Sequence, residues 1–188
     1  MSQSINPSAP TVVLVHGTFA DSSSWNAVTP SLLGQGYPVV AVAHPLRGLQ
    51  SDTDYVPAVL KSVAGPIVRV GHSYAGSAIR NAPTRVANVV APVFFPAAHP
   101  TPSRLHQRPS RRSGWKSTPV CFIYPELHKT IPAALHAFTA HRAGSKETVE
   151  VPGASHVLML ATGSCISTGG ARHRRDSAHW RRVKSPNT

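Results

Sequence analysis

Short apolar runs alternate with helical stretches at a regular interval from residue 11 to residue 95, and that alternation leaves the chain few architectures. Residues 11–15 are a β-branched run ending at His16-Gly17, which reads as a strand buried on both faces. Residues 22–35 begin with three serines, any of which could cap a helix, continue through Trp25, Val28, Leu32 and Leu33 at helical spacing, and stop at Gly34 and Gly36. A second strand is expected over 37–43, a helix over 52–64 opened by Asp52 and closed by Gly65, and a third strand over 66–70. Strands that alternate with helices in this way imply a parallel sheet with helices wound on both faces.

The pattern continues through a helix over 73–81 and a strand over 86–95, then breaks. Residues 97–117 mix Pro, Ser, Arg and His with almost no periodicity and read as an exposed loop. Order resumes with a strand over 119–124, a helix from Pro132 carrying Ala134, Leu135 and Phe138 on one face, and a last strand over 148–151. From about Gly163 the hydrophobic pattern is lost. The expected organisation is a flexible N-terminus (1–10), one domain (11–162) interrupted by the basic Pro-rich loop 97–117, and a basic, disordered tail (163–188). At 188 residues the chain is long enough to bury a core without disulfides or a structural metal.

A net charge of +12 would ordinarily point to nucleic acid or an anionic membrane. Its distribution argues otherwise. Arg104, Arg108, Arg111, Arg112 and Lys116 lie in one acid-free stretch, and Arg172, Arg174, Arg175, Arg181, Arg182 and Lys184 face only Asp176 in another. Those two segments hold +10 of the charge, so the remainder has the balance of an ordinary globular protein. Cys121 and Cys165 have no CxxC spacing and suggest neither a zinc ribbon, a redox motif nor a disulfide framework. No secretory signal is legible in the first ten residues and no apolar run approaches a membrane span, so the expectation is a soluble, cytoplasmic protein without a membrane partner.

The chemistry concentrates at Gly71-His72-Ser73-Tyr74-Ala75-Gly76, between a strand and a helix. A sharp strand-to-helix turn lifts a serine hydroxyl above the sheet edge and aims helix N–H groups at developing negative charge, and small flanking residues permit it. Ser73 is therefore the candidate nucleophile. The loop opened by His16-Gly17-Thr18 lies where the N–H of Thr18, with Phe19 next in line, could complete an oxyanion hole with the N–H of Tyr74. A serine needs a general base. His156, in Gly153-Ala154-Ser155-His156 after the last strand, is preferred among eleven histidines, and His72 is assigned a packing or hydrogen-bonding role.

With these motifs the chain resembles the α/β-hydrolases, specifically the small bacterial esterase-like group with a V-H-G-T/A opening and a G-H-S-Y-G/A-G elbow. The resemblance covers roughly residues 10–96 and 117–161. It implies the α/β-hydrolase fold, Ser73 as nucleophile, His156 as base, amides near Thr18 and Tyr74 as oxyanion hole, and hydrolysis of a small-molecule ester or acyl substrate without metal or organic cofactor. It also marks three departures. The group carries an Asp within G-x-x-D-x-x-I-P, where this chain reads Pro125-Glu126-Leu127-His128-Lys129-Thr130-Ile131-Pro132, so His128 stands in the acid position. An imidazole cannot stabilise the imidazolium that His156 becomes, and loss of that charge in a serine protease costs about 10⁴-fold. Glu126, two residues earlier, would share a face with His128 in an extended segment and is the candidate replacement acid. The helical cap is reduced to 97–117, and the expected C-terminal helix is replaced by the basic tail. Three functions follow: a serine-dependent ester hydrolase acting through an acyl-Ser73 intermediate, a catalytically impaired protein of the same fold, and nucleic-acid binding through the basic segments.

Overall fold

Thr11–Val15 forms β1, and its neighbours assemble on it in parallel: Val39–Val42 (β2) on one side and Ile67–Ser73 (β3) on the other. The sheet continues through Val89–Pro96 (β4), Cys121–Pro125 (β5) and Glu147–Val151 (β6), all parallel, in the order β2-β1-β3-β4-β5-β6. This is the α/β-hydrolase fold expected from the sequence. The computed structural model describes residues 6, 8–81, 86, 88–96, 120–129, 131–156 and 181–183. Most of the expected flexible N-terminus, the whole of the 97–117 loop and nearly all of the 163–188 tail lie outside the described residues.

Both faces of the sheet are covered, which is why its strands read as continuous apolar runs. Val12 and Leu14 point into one core with Trp25, Val28, Leu32, Val70 and Phe95, while Val13 and Val15 point into the other with Val56, Leu60, Ile67, Ala75 and Ile79. Removing a Val or Leu side chain from water is worth about 1.5–3 kcal/mol, so β1 alone is a substantial anchor for whatever its C-terminal loop holds. The helices on these faces are Thr29–Gly34 (α1), Leu49–Ser62 (α2), Tyr74–Asn81 (α3) and Ala133–Arg142 (α4).

Four local expectations are corrected. The single helix over 22–35 is two elements, a 3-10 turn at Ser22–Trp25 and α1. Pro30 lacks the N–H that would bond the carbonyl of Asn26, and the chain before it takes the tighter i→i−3 pattern, with the Asn26 N–H donating to the Ser23 carbonyl at 2.9 Å and the Val28 N–H to the Trp25 carbonyl at 3.0 Å. The cap is Asp21, whose carboxylate accepts from the Ser23 N–H at 2.8 Å, and not a serine. Asp52 does not open its helix: α2 starts at Leu49, which places Asp52 in the first turn, buried. On α4, Leu135 and Phe138 are exposed and the buried residues are His136 and Ala140. The polar ring wins that inward position because it stacks on Tyr124, with centroids 5.4 Å apart and planes 16° off parallel.

The tail is also not without structure throughout. Arg181–Arg182 (β7) pairs antiparallel with β6, and the Val183 N–H donates to the Thr148 carbonyl at 2.9 Å. Composition favours a solvated tail, but the outer edge of β6 offers unpaired backbone groups, and backbone pairing is indifferent to side-chain charge. Among the described residues no helix is long and apolar enough to cross a membrane.

Candidate active site

The strand order reverses between β1 and β3, because the chain leaves β1 for β2 on one side and returns to β3 on the other. Loops at the carboxyl ends of two such strands diverge and leave a crevice between them, the usual place for a ligand in an open α/β sheet. The loop opened by His16-Gly17-Thr18 leaves β1 there, and Ser73 ends β3 there.

Ser73 has φ of 55°, a left-handed conformation that costs a non-glycine residue energy and persists only where its surroundings impose it. β3 on one side and α3, which begins at Tyr74, on the other impose it here. Gly71 makes the tight passage possible: a Cβ on it would come 2.5 Å from Ile79 Cδ1 and 3.2 Å from the backbone of Ala75 and Gly76. Gly76 is less demanding, since its Cβ would meet Phe94 Cδ1 at an ordinary 3.5 Å and the Gly71 carbonyl at 4.0 Å.

Gly17 owes its identity to contact rather than to turn geometry. It is not among the positive-φ residues, but a Cβ there would lie 3.0 Å from both His72 Nδ1 and Ser73 Cβ. The loop after β1 is thus pressed against the elbow. Thr18, which follows, is exposed, and Phe19 is fully exposed at φ of 64°. Tyr74 is the first residue of α3, so its N–H is one of the helix donors without an intrahelical acceptor.

His156 is brought to the elbow by its neighbour in sequence to Ser73. The His72 Nε2–H donates to the His156 carbonyl at 2.9 Å, and the two rings lie 4.9 Å apart. Burial pushes His72 down to about 4, so it is neutral and suited to this purpose. Among the described residues the Ser73 hydroxyl is not hydrogen-bonded to the His156 ring.

The segments after β5 and β6 are laced together. The Leu127 N–H donates to the Ala154 carbonyl at 2.9 Å, and the Gly153 N–H donates to Glu126 Oε2 at 2.9 Å. One carboxylate oxygen of Glu126 is thereby engaged by the loop backbone. The extended geometry that would have put it on the His128 face is missing, because the chain turns at residues 126–127. His128 meets His156 instead, with Nε2 and Nδ1 2.6 Å apart and the rings nearly perpendicular at 81°. Burial lowers the pKa of both rings, and for His128 the neighbouring His156 adds to the effect. Beneath them lies His136, 5.3 Å from His128 and pushed down to about 4 by burial.

A second polar cluster, which no spacing in the sequence announces, supports the elbow from below. The Tyr74 hydroxyl donates to Asp52 Oδ2 at 2.7 Å, and burial together with that carboxylate raises the phenol's pKa. His44 stacks on His16 with centroids 4.1 Å apart and faces the Tyr74 ring at 6.2 Å. Burial holds His44 down at about 4, and the His16 Nδ1–H donates to the Gly17 carbonyl at 2.9 Å. The cluster ties the residue after Ser73 to α2 and the start of the β1 loop to His44, two residues beyond the end of β2. Among the described residues no group of three or more His, Cys, Asp or Glu side chains is arranged to hold a metal ion.

The sequence profile of the Alpha/beta hydrolase family matches residues 12–127. No curated protein matches the chain. Solved structures do: polyneuridine aldehyde esterase aligns at 15% identity and a TM-score of 0.69, over 82% of this chain and 94% of that one. The thioesterase domain from the curacin biosynthetic pathway aligns at 14% identity and 0.66, over 87% and 91%. An extracellular alpha/beta-hydrolase from a Paenibacillus species aligns at 16% identity and 0.63, over 81% and 93%. At such identities the likeness is one of fold.

Proposed function

This chain belongs to the alpha/beta hydrolase family, and on that premise we propose that it is a serine-dependent hydrolase of carboxylic esters or related acyl compounds. The observation that carries the reading is Ser73 at φ of 55° on a strand-to-helix elbow, with His156 tied to the preceding residue. In the proposed reaction Ser73 Oγ attacks the substrate carbonyl while His156 takes the hydroxyl proton. The N–H groups of Thr18 and Tyr74 receive the oxyanion. Collapse releases the alcohol, which takes its proton from His156, and leaves an acyl-Ser73 ester. Water activated by the same ring then attacks that ester, releasing the carboxylic acid and restoring Ser73. Esterase and thioesterase structures among those of the same fold agree with an acyl substrate.

The deciding experiment compares wild type and Ser73→Ala on short-chain p-nitrophenyl esters, with a fluorophosphonate probe as a second readout. Labelling and turnover that both require Ser73 support the reading, and ester turnover above background that Ser73→Ala retains in full removes it. The second reading, an impaired enzyme of this fold, is favoured by one observation: a histidine holds Nδ1 of His156 where a carboxylate would be needed to stabilise an imidazolium.

A further inference from the structure

We propose that His128 acts as a positioning residue that locks His156 in the tautomer unable to accept a proton from Ser73, so that the site is held in a resting state. The inference rests on the Ser73 and His156 assignment above, and its chain of reasoning begins at a backbone group. The Ile131 N–H donates to His128 Nδ1 at 3.1 Å. A peptide N–H can only donate, so Nδ1 presents its lone pair, and a neutral His128 then bears its proton on Nε2. That nitrogen is the one 2.6 Å from His156 Nδ1, so His128 donates and His156 Nδ1 accepts. A neutral ring that accepts at Nδ1 carries its proton on Nε2. The only nitrogen left to meet Ser73 is therefore already protonated and is a donor rather than a base.

The alternatives to this arrangement each meet an obstacle. Moving the proton to Nδ1 of His156 makes His128 Nε2 the acceptor and puts a proton on His128 Nδ1, directly against the Ile131 N–H. Protonating either ring adds charge to a partly buried pair whose members both have lowered pKa values. A carboxylate at position 128 would meet neither obstacle, because its oxygens accept from Ile131 and from a His156 Nδ1–H at once. An asparagine would behave like the histidine: its oxygen would take the Ile131 N–H and its amide would donate to His156. This separates a tautomer lock from a simple loss of the imidazole.

The test is ¹⁵N NMR of the histidine rings in the full-length protein at neutral pH, with the His156 signals assigned by a His156→Gln variant. The wild type and His128→Asn should both have His156 protonated on Nε2, and His128→Asp should have it protonated on Nδ1 with a raised pKa. Ester turnover should rise in His128→Asp by up to about 10⁴-fold, the factor associated with a wrong tautomer in a serine protease, and not in His128→Asn. A wild-type His156 protonated on Nδ1, or a His128→Asp protein still protonated on Nε2, overturns the lock. Turnover in His128→Asp that survives Ser73→Ala overturns the hydrolase reading instead and leaves the tautomer result standing.

Discussion

The Nε2 atom of His72 lies 2.9 Å from the backbone carbonyl of His156, 84 residues away in the chain, so the elbow itself holds the loop that bears the candidate base. Replacing His72 by Phe keeps a ring against Phe95, now 6.3 Å from the imidazole, but removes the donor. A partly buried hydrogen bond of this kind is worth about 0.5–1.5 kcal/mol of stability. The rate should suffer more than the fold, because the loop then loses its register on Ser73. Chemical denaturation and ester turnover, measured in the His128→Asp background, should give a modest loss of stability and a larger loss of kcat. An unchanged kcat contradicts this role for His72.

Gly17 should tolerate no Cβ. Alanine there would sit 3.0 Å from Ser73 Cβ and His72 Nδ1, and either the β1 loop or the elbow must move. Overpacking of this sort costs about 1–3 kcal/mol. Displacement of a nucleophile by even about 1 Å can cost 10²-fold in rate. Thermal unfolding and ester turnover of Gly17→Ala check both expectations, and wild-type values of both would mean that the contact relaxes freely.

Tyr74→Phe should destabilise the protein although it deletes a single oxygen. Asp52 is fully buried, and its Oδ2 would lose the phenol it accepts from at 2.7 Å. A hydrogen bond to a charged group contributes about 1.5–3 kcal/mol. A double-mutant cycle with Asp52→Asn should return a coupling energy of about 1 kcal/mol or more, since the two side chains touch. Additive effects would show that the pair contributes no interaction of its own.

Stability should fall in mild acid. His44, His72 and His136 are each held down at about 4 by burial, against 6.5 for an unburied ring. Between those values the unfolded chain binds protons that the folded protein refuses. The stabilisation is therefore complete above pH 6.5 and is lost progressively as the pH falls toward 4. Thermal midpoints recorded from pH 7.5 to 4.5 should decline across this window. A flat profile would mean that these rings are accessible to protons in the folded state.

Glu126→Gln distinguishes a clamp from a catalytic acid. The amide oxygen can still accept from the Gly153 N–H, so turnover should stay within a few fold of the parent. Loss of a triad acid's charge would instead cost about 10⁴-fold. A loss of that size would restore Glu126 as the acid.

The parts of the fold that were legible from sequence are those determined within a few residues. The β-branched run of β1 and the strand-to-helix elbow at Ser73 follow from local propensity and from which positions tolerate a side chain. Errors arose where a neighbour in space outvoted the pattern. Leu135 and Phe138 lost the buried face of α4 to a histidine that stacks on Tyr124. The Asp52–Tyr74 pair has no sequence signal, because its two members occupy different helices 22 residues apart.

The sequence by itself determined that a doubly covered parallel sheet forms and where its serine elbow lies, and its resemblance to the family implied that a histidine stands in the acid position. Tertiary structure alone decided what that histidine does. Its role depends on a proton's position, and that is set by three groups meeting in space: the Ile131 N–H, the His128 ring and the His156 ring. Periodicity and propensity act through the local backbone and carry no information about which nitrogen of an imidazole bears hydrogen. Hydrogen-bond direction does carry it, and it exists only once the chain has folded.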